Sequence, residues 1–341
     1  MRSLWTAASG MIAQQTNVDN IANNLANVNT TAYKTSTTEF KTLLYQNIQA
    51  KTTSANGENK PTGAQVGLGV RNSSITTQFT QGALLESNNT YAMAIEGKGF
   101  FAVQGEDGNT YYTRNGNFQI SLNADGSGML ATTDGLPVLS SEGEPIVFDA
   151  SILPEDFYEQ SMQQILETSG PEKLAEVLGV PKILEDIAEE MVANGQEVTE
   201  ETLLAEYLNR IDEVVEEILS QFDLSKVTID SNGEICYKDF LNNPKSIGVK
   251  LGLYQVANPA GMNKTFDTLY SVTEASGEAV EEGDSISLTK SKVHQGYLEG
   301  SNVQVVDEMV NLISAQRAYE MNSKAITTAD EMLGQANQLK R

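Results

Sequence analysis

The sequence predicts an α+β protein: long terminal helices forming a coiled pair, with a small β-rich domain and an acidic helical insertion between them in sequence. Three observations predict it. Leu4, Met11, Val18 and Leu25 recur every seven residues near the start, and Val305, Leu312, Tyr319, Ile326 and Leu333 do so near the end. A strict heptad presents one helix face to a partner helix. Residues 70–150 and 224–290 read as short alternating strands separated by glycine-bearing turns. Residues 152–223 hold 19 Asp or Glu against three Lys or Arg, a local charge of −16 within a net charge of −24.

Residues 3–28 read as the first helix, with Ser3 as a cap and the heptad stripe along one face. Each large stripe residue contributes about 1.5–3 kcal/mol if fully buried, so the helix needs its C-terminal partner to be stable. The small or polar residues Ala8, Gln15 and Ala22 permit close helix approach. Gln14, Gln15, Asn17, Asn20, Asn23, Asn24 and Asn27 form a dense amide set, either a solvated face or a polar lattice that selects register between subunits. The run Asn27-Val28-Asn29-Thr30-Thr31 has poor helix propensity and ends the element.

Residues 37–48 resume an apolar pattern with Phe40, Leu43, Leu44 and Ile48, and 49–69 read as a polar, glycine-bearing extended loop. Phe100-Phe101-Ala102-Val103 and Tyr111-Tyr112-Thr113 flank Asp107-Gly108 and predict a hairpin. Asp125-Gly126 and Asp134-Gly135 mark further turns. Within the acidic segment, stretches 154–168 and 183–194 favour helix, and Thr199 opens an amphipathic helix over 199–221. Strands return at Val227-Thr228-Ile229, from Glu234 to Tyr237 and from Ile247 to Tyr254, so the β domain begun before residue 150 is completed after 225. Insertion at an exposed loop tip need not disturb the parent core. The terminal helix covers 302–339. The expected organisation is 1–48 helical, 49–69 extended loop, 70–150 first β part, 152–223 acidic insertion, 224–290 second β part and 291–341 connector with core helix.

The acidic balance argues against nucleic acid, whose binders need a basic footprint, and against anionic lipid. No run of eighteen apolar residues is present, so no membrane insertion is expected, and Met1 to Met11 lack the layout of a cleaved signal. One cysteine, Cys236, excludes an internal disulfide, and one histidine, His294, excludes a His-rich metal site within the chain. Gly97-Lys98-Gly99 lacks the full phosphate-loop pattern and reads as a tight turn. Asn123–Gly128 and Asp230–Glu234 lack the spacing of a calcium loop. The adjacent pairs Glu189/Glu190 and Glu216/Glu217 cannot converge on one point as an acid–base pair. No catalytic residue, cofactor or metal is expected, Cys236 reads as a buried structural thiol, and His294 reads as a surface or packed side chain.

Three ordered motifs carry a resemblance. Arg2-Ser3-Leu4-Trp5-Thr6-Ala7-Ala8-Ser9-Gly10-Met11 with Asn23-Asn24-Leu25-Ala26-Asn27-Val28-Asn29-Thr30 form the first. Ala94-Ile95-Glu96-Gly97-Lys98-Gly99-Phe100-Phe101 with Tyr112-Thr113-Arg114-Asn115-Gly116 form the second. Ser301-Asn302-Val303, Gln316-Arg317-Ala318-Tyr319-Glu320 and Asn322-Ser323-Lys324 form the third. Together they resemble the bacterial flagellar rod and hook axial protein family over about 1–150 and 224–341. Within that family, Arg2-Ser3-Leu4-Trp5, Gln65-Val66-Gly67-Leu68-Gly69-Val70 and the long loop near 46–66 resemble the distal-rod type. The acidic segment lies outside the family pattern. Ala32-Tyr33-Lys34 stands where relatives usually carry Gly-Phe-Lys; Tyr33 retains an aromatic ring, but Ala32 lacks glycine's freedom at positive φ.

The resemblance implies a structural, non-enzymatic subunit that polymerises with copies of itself into the distal rod. It implies proximal rod and hook proteins as axial partners, the basal-body rings around it, and delivery by the flagellar type III export apparatus. The terminal helices would line the inner tube, with Leu4, Met11, Val18, Leu25, Leu312, Tyr319, Ile326 and Leu333 as the helical assembly core. Asn23, Asn24 and Asn27 would help define inter-subunit geometry, and Gln316, Arg317 and Glu320 would make polar contacts near the C-terminal partner. The acidic insertion would be an outward-facing helical subdomain. A proximal rod or hook subunit, or an exported enzyme or regulator using rod-like ends, are the alternatives.

Overall fold

The structure, a computed structural model, describes residues 2–49, 63–122, 127–149, 152, 157, 224–239, 242–265, 268–283 and 288–338. The tip of the extended loop, the turn at Asp125-Gly126 and the helices expected in the acidic insertion lie outside the described residues. The chain forms two compact units. Unit one comprises Met1–Leu85, Asn258–Met262 and Glu299–Arg341, and unit two comprises Glu86–Ala257 and Asn263–Leu298.

Unit one holds α1 (Arg2–Ala26), the strands β1 (Ser36–Thr42), β2 (Tyr45–Gln49), β3 (Ala64–Gly67) and β4 (Val70–Thr77), and α2 (Val305–Gln338). The helices run antiparallel: Gly10 lies against Asn322, and fourteen residues further on Asn24 meets Glu308. Their seam buries Ala7, Gly10, Ala13, Ile21 and Asn24 of α1 and Ala315 and Ala329 of α2. The apolar heptads of the sequence flank this seam. Leu4, Met11, Val18, Leu25, Leu312 and Ile326 are half-buried, whereas Val305, Tyr319 and Leu333 are exposed. The seam is therefore small and polar, because a Cβ on Gly10 would already sit 2.8 Å from the Asn322 amide nitrogen. Axes this close leave no room for large side chains between them.

Residues 36–49 and 64–77 form a two-stranded antiparallel ribbon, β1 with β4 and then β2 with β3. Its Thr-rich strands suit a pleated surface. Its apolar side chains face outward, with Leu44 82 % exposed and Tyr45 and Ile48 also exposed. The rod-type string contains Gly69, whose φ of +121° and position against Ser9 of α1 admit no side chain. Ser9 Oγ also accepts a hydrogen bond from the Val70 amide at 3.3 Å.

β5 (Leu84–Glu86) spans the boundary between the units in the chain, and the further strands of unit two run from β6 (Met93–Glu96) to β19 (Lys292–Gln295). The hairpin expected at Asp107-Gly108 is β7 (Phe100–Gln104) with β8 (Thr110–Thr113), and Gly108 takes φ +78° at its turn. Then come β9 (Gln119–Leu122), β10 (Gly128–Ala131), β11 (Val147–Phe148), β12 (Val227–Ile229), β13 (Glu234–Lys238), β14 (Pro244–Lys250), β15 (Leu253–Val256), β16 (Asn263–Lys264), β17 (Leu269–Ser271) and β18 (Ala279–Glu281). A six-stranded sheet has the order β16-β17-β8-β7-β15-β18, so sequence on both sides of residues 152–223 builds it. Three-stranded sheets β11-β10-β9 and β12-β13-β14 and the pair β19-β6 complete the unit.

The single strand expected from Ile247 to Tyr254 is two. β14 pairs with β13, and β15 pairs with β7 and β18. The chain changes sheets at Gly252, where a Cβ would lie 2.7 Å from the Ser140 carbonyl. The core is large and apolar: Met93, Ile95, Phe101, Phe118, Leu130 and Phe148 are all fully buried. Phe101 and Phe118 meet edge-to-face at 5.1 Å.

Candidate assembly surface

The amide set of α1 divides by function. The Asn24 side chain is 1 % exposed and treats the Ser36 backbone as a strand neighbour would. Its Oδ1 accepts from the Ser36 amide at 3.0 Å, and its Nδ2 donates to the Ser36 carbonyl at 2.9 Å. Asn24 Oδ1 also accepts from the Tyr33 hydroxyl at 3.1 Å, which in turn accepts from Asn23 Nδ2 at 3.2 Å. Burial pushes the Tyr33 phenol above its ordinary pKa, so it stays a donor. Asn27 Nδ2 donates to the Asn23 carbonyl at 2.8 Å, and Asn27 Oδ1 accepts from the Thr30 hydroxyl at 3.0 Å. Asn24 is thus taken up within its own chain, closing the turn that leaves α1, while Asn23 keeps an exposed side.

That turn also contains Ala32, whose φ of +58° is the left-handed conformation the sequence made costly for any residue but glycine. Its amide donates to the Glu299 carbonyl at 2.7 Å, which holds it there. Two residues on, Lys34 Nζ meets Glu299 Oε1 at 2.6 Å with both side chains fully buried. Lys34 also donates to the Thr80 carbonyl at 2.8 Å, and Glu299 Oε1 accepts from the Gly82 amide at 2.9 Å. A buried pair of this kind is costly to break by removing one partner, about 3–5 kcal/mol. Asn302 completes the clamp: its Oδ1 accepts from the Thr35 amide at 2.7 Å, and its Nδ2 donates to the Gln78 carbonyl at 2.8 Å. The motif residues Ser9, Gly10, Lys34, Gly69, Asn302 and Asn322 thereby fix the helix pair and the base of the ribbon. In the sequence all of them stand as motif letters without an evident role; the glycines are the legible signal, because close approach requires them.

In unit two the second motif is explained the same way. Gly97 takes φ +136° against Ser291, and a Cβ on Gly99 would meet Glu282 at 2.5 Å. Buried Glu282 accepts from Gln255 Nε2 at 2.8 Å and from the Ser291 amide at 2.6 Å. Arg114 donates to the Gly97 carbonyl and stacks over Phe100 at 5.3 Å. Cys236 is buried in β13, and burial pushes its thiol up. His294 lies 2.8 Å from Glu96 at the surface and holds that carboxyl below its usual pKa. Among the described residues, no group of three or more His, Cys, Asp or Glu is placed to hold a metal ion. No described helix is long and apolar enough to cross a membrane.

The outward side of α2 is the opposite of its seam. Val306, Val310, Ile313, Met321 and Met332 are each at least half exposed, Val306 at 73 %. The spacing from Val306 through Val310, Ile313 and Arg317 to Met321 puts them on one face. α1 adds Ile12 and Trp5, the latter 76 % exposed. A hollow between the helices is lined by Gln15, Val18, Gln316, Tyr319 and Glu320. Arg317, on the outward face, is exposed. Unit one thus spends its small residues inward and its large apolar residues outward, an arrangement suited to association.

Comparison with known proteins agrees with this arrangement. Residues 4–34 match the family described as flagella basal body rod protein. Residues 94–167 match the flagellar hook protein FlgE/F/G D1 domain, and residues 294–339 match the flagellar basal body rod FlgEFG protein C-terminal family. A flagellar basal-body rod protein FlgG of Borreliella burgdorferi is 35 % identical over 100 % of this chain and 99 % of its own length. One of Agrobacterium fabrum is 36 % identical over 97 % of each chain, and one of Bacillus subtilis is 28 % identical over 100 % of each. With helix pair, ribbon, β unit and full-length similarity together, the chain belongs to the flagellar basal-body rod protein family.

Proposed function

We infer that the chain is a structural subunit of the bacterial flagellar distal rod, polymerising into the shaft that carries motor torque to the hook. The observation that carries this reading is the exposed apolar face of α2, with Val306, Val310 and Ile313 its most regular stretch. Fully burying an exposed side chain of this kind contributes about 1.5–3 kcal/mol; these are partly covered already, so assembly adds a part of that at each, and a polymer of identical chains covers them at every position. Growth stays open when one surface meets a different surface on the next copy and the rotation between copies does not close a ring. The half-buried Leu4, Met11, Val18, Leu25, Leu312 and Ile326, with exposed Tyr319 and Leu333, line the tube wall in this reading. Asn23, Gln316, Arg317 and Glu320 supply polar contacts that set its geometry. The subunit acts in the basal body after export from the cytoplasm, in contact with other rod, hook and ring proteins; proximal rod on one side and hook on the other is the finer order proposed.

Electron microscopy of basal bodies from a deletion strain tests the reading. Rods that stop at their proximal part and carry no hook are expected. Intact rods bearing hooks in that strain would refute it.

A further inference from the structure

We propose that Trp5 of one copy seats in the hollow lined by Gln15, Val18, Gln316, Tyr319 and Glu320 of a second copy, and that this contact is a principal anchor of the polymer. It rests on the rod reading and adds the pair of surfaces that meet. Trp5 is the only tryptophan in the chain, and it stands 76 % exposed on a helix whose inward face is small. An indole buries a large apolar area yet requires an acceptor for its one N–H. The residues that line the hollow are of both kinds: Val18 and Tyr319 carry apolar surface, and Gln15, Gln316 and Glu320 carry side-chain oxygens able to accept a hydrogen bond. Neither partner is satisfied within one chain in this way. Tryptophan anchors filling such hollows carry a disproportionate share of interface energy.

The positions also make the contact self-propagating. Trp5 and Val18 lie thirteen residues apart in α1. That separation is about 20 Å along the helix and about 140° around it. A copy therefore offers its hollow on one side while its own Trp5 reaches another. Each contact is heterologous and leaves one Trp5 and one hollow for the next copy, and a stagger along the helix direction at every step keeps the copies from closing into a ring. Neighbours joined through it with parallel α1 helices are staggered by about 20 Å along the helix direction.

The test is photo-crosslinking in cells. With p-benzoylphenylalanine placed at Trp5, irradiation should yield a dimer whose mapped adduct lies in a peptide containing Gln15–Val18 or Gln316–Glu320 of the other chain. If that variant does not assemble, the same group placed at Glu320 should crosslink to the peptide around Ser3–Thr6. Dimer adducts confined to other peptides overturn the proposal. Trp5→Ala provides the second measurement: self-association of the purified chain should weaken by about 30-fold or more, with its melting temperature unchanged. Wild-type association of Trp5→Ala overturns the proposal alone, whereas hooks in the deletion strain break the rod reading itself.

Discussion

The two units bury opposite kinds of residue. Unit two closes over Phe101, Phe118, Leu130 and Phe148 and, among its described residues, leaves few large apolar side chains outside. Unit one closes over Ala7, Gly10, Ala13, Ala315 and Ala329 and leaves Trp5, Ile12, Val306, Ile313 and Met321 in water. The first pattern is a finished core, stable by its own burial. The second brings two helix axes close with small residues and holds the hydrophobic surface back for other chains. The difference teaches that in this protein fold stability and assembly are assigned to separate residues, and so are separable by mutation.

The largest expected effect tests the finished core. Phe118→Ala removes a fully buried ring that packs edge-to-face on Phe101. Denaturant unfolding of the purified chain should show unit two destabilised by about 3–5 kcal/mol. The outward face gives the opposite pattern: Ile313→Ser should leave unfolding within about 0.5 kcal/mol of wild type while reducing hook-bearing cells. A large loss of monomer stability for Ile313→Ser, or none for Phe118→Ala, would break the comparison.

The seam lies between these extremes. Gly10→Val pushes a branched side chain into the Asn322 amide, which already lies 2.8 Å from a single added Cβ. Overpacking of this kind costs about 1–3 kcal/mol. The cost should appear in helix signal by circular dichroism, with unit two's near-ultraviolet spectrum unchanged. A companion Asn322→Ala change should recover part of it by removing the obstructing amide.

The sequence made the architecture legible where one local rule acts alone. The turns at Asp107-Gly108, Asp134-Gly135 and Asn232-Gly233 all place glycine at positive φ, as hairpin geometry requires. The terminal helices follow from periodicity. What periodicity could not reveal is which of several faces meets the partner helix. Leu4, Met11, Val18 and Leu25 repeat more cleanly than Ala7, Gly10 and Ala13, yet the small residues form the seam because distance, not hydrophobicity, selects them. Asn24 was legible as an unusual amide but not as a partner for the Ser36 backbone, since nothing local announces a contact twelve residues away. Lys34 and Glu299 lie 265 residues apart, so their pairing belongs to the assembled fold rather than to any window of sequence. The outer part of the ribbon is hard to read because neither face of β2 or β3 is buried, and the alternation that identifies a half-buried strand is therefore weak.

Ala32 provides the finest test of how unit one tolerates its own irregularity. Its left-handed conformation costs about 1–2 kcal/mol relative to an ordinary helical residue. Replacing it with glycine relieves that strain but adds chain entropy of about 0.5–1 kcal/mol. It also forfeits a buried methyl of about 0.8 kcal/mol, since Ala32 is 1 % exposed. The opposing terms nearly cancel, so Ala32→Gly should shift unfolding by no more than about 0.5 kcal/mol. Ala32→Val should be strongly destabilising, because a β-branched side chain meets the same backbone strain with added crowding. A large stabilisation by glycine would mean the methyl contributes nothing to the turn. A neutral valine would mean that the hydrogen bond from the residue 32 amide to Glu299 does not hold φ positive, and that the turn can relax without loosening the clamp at Lys34 and Glu299.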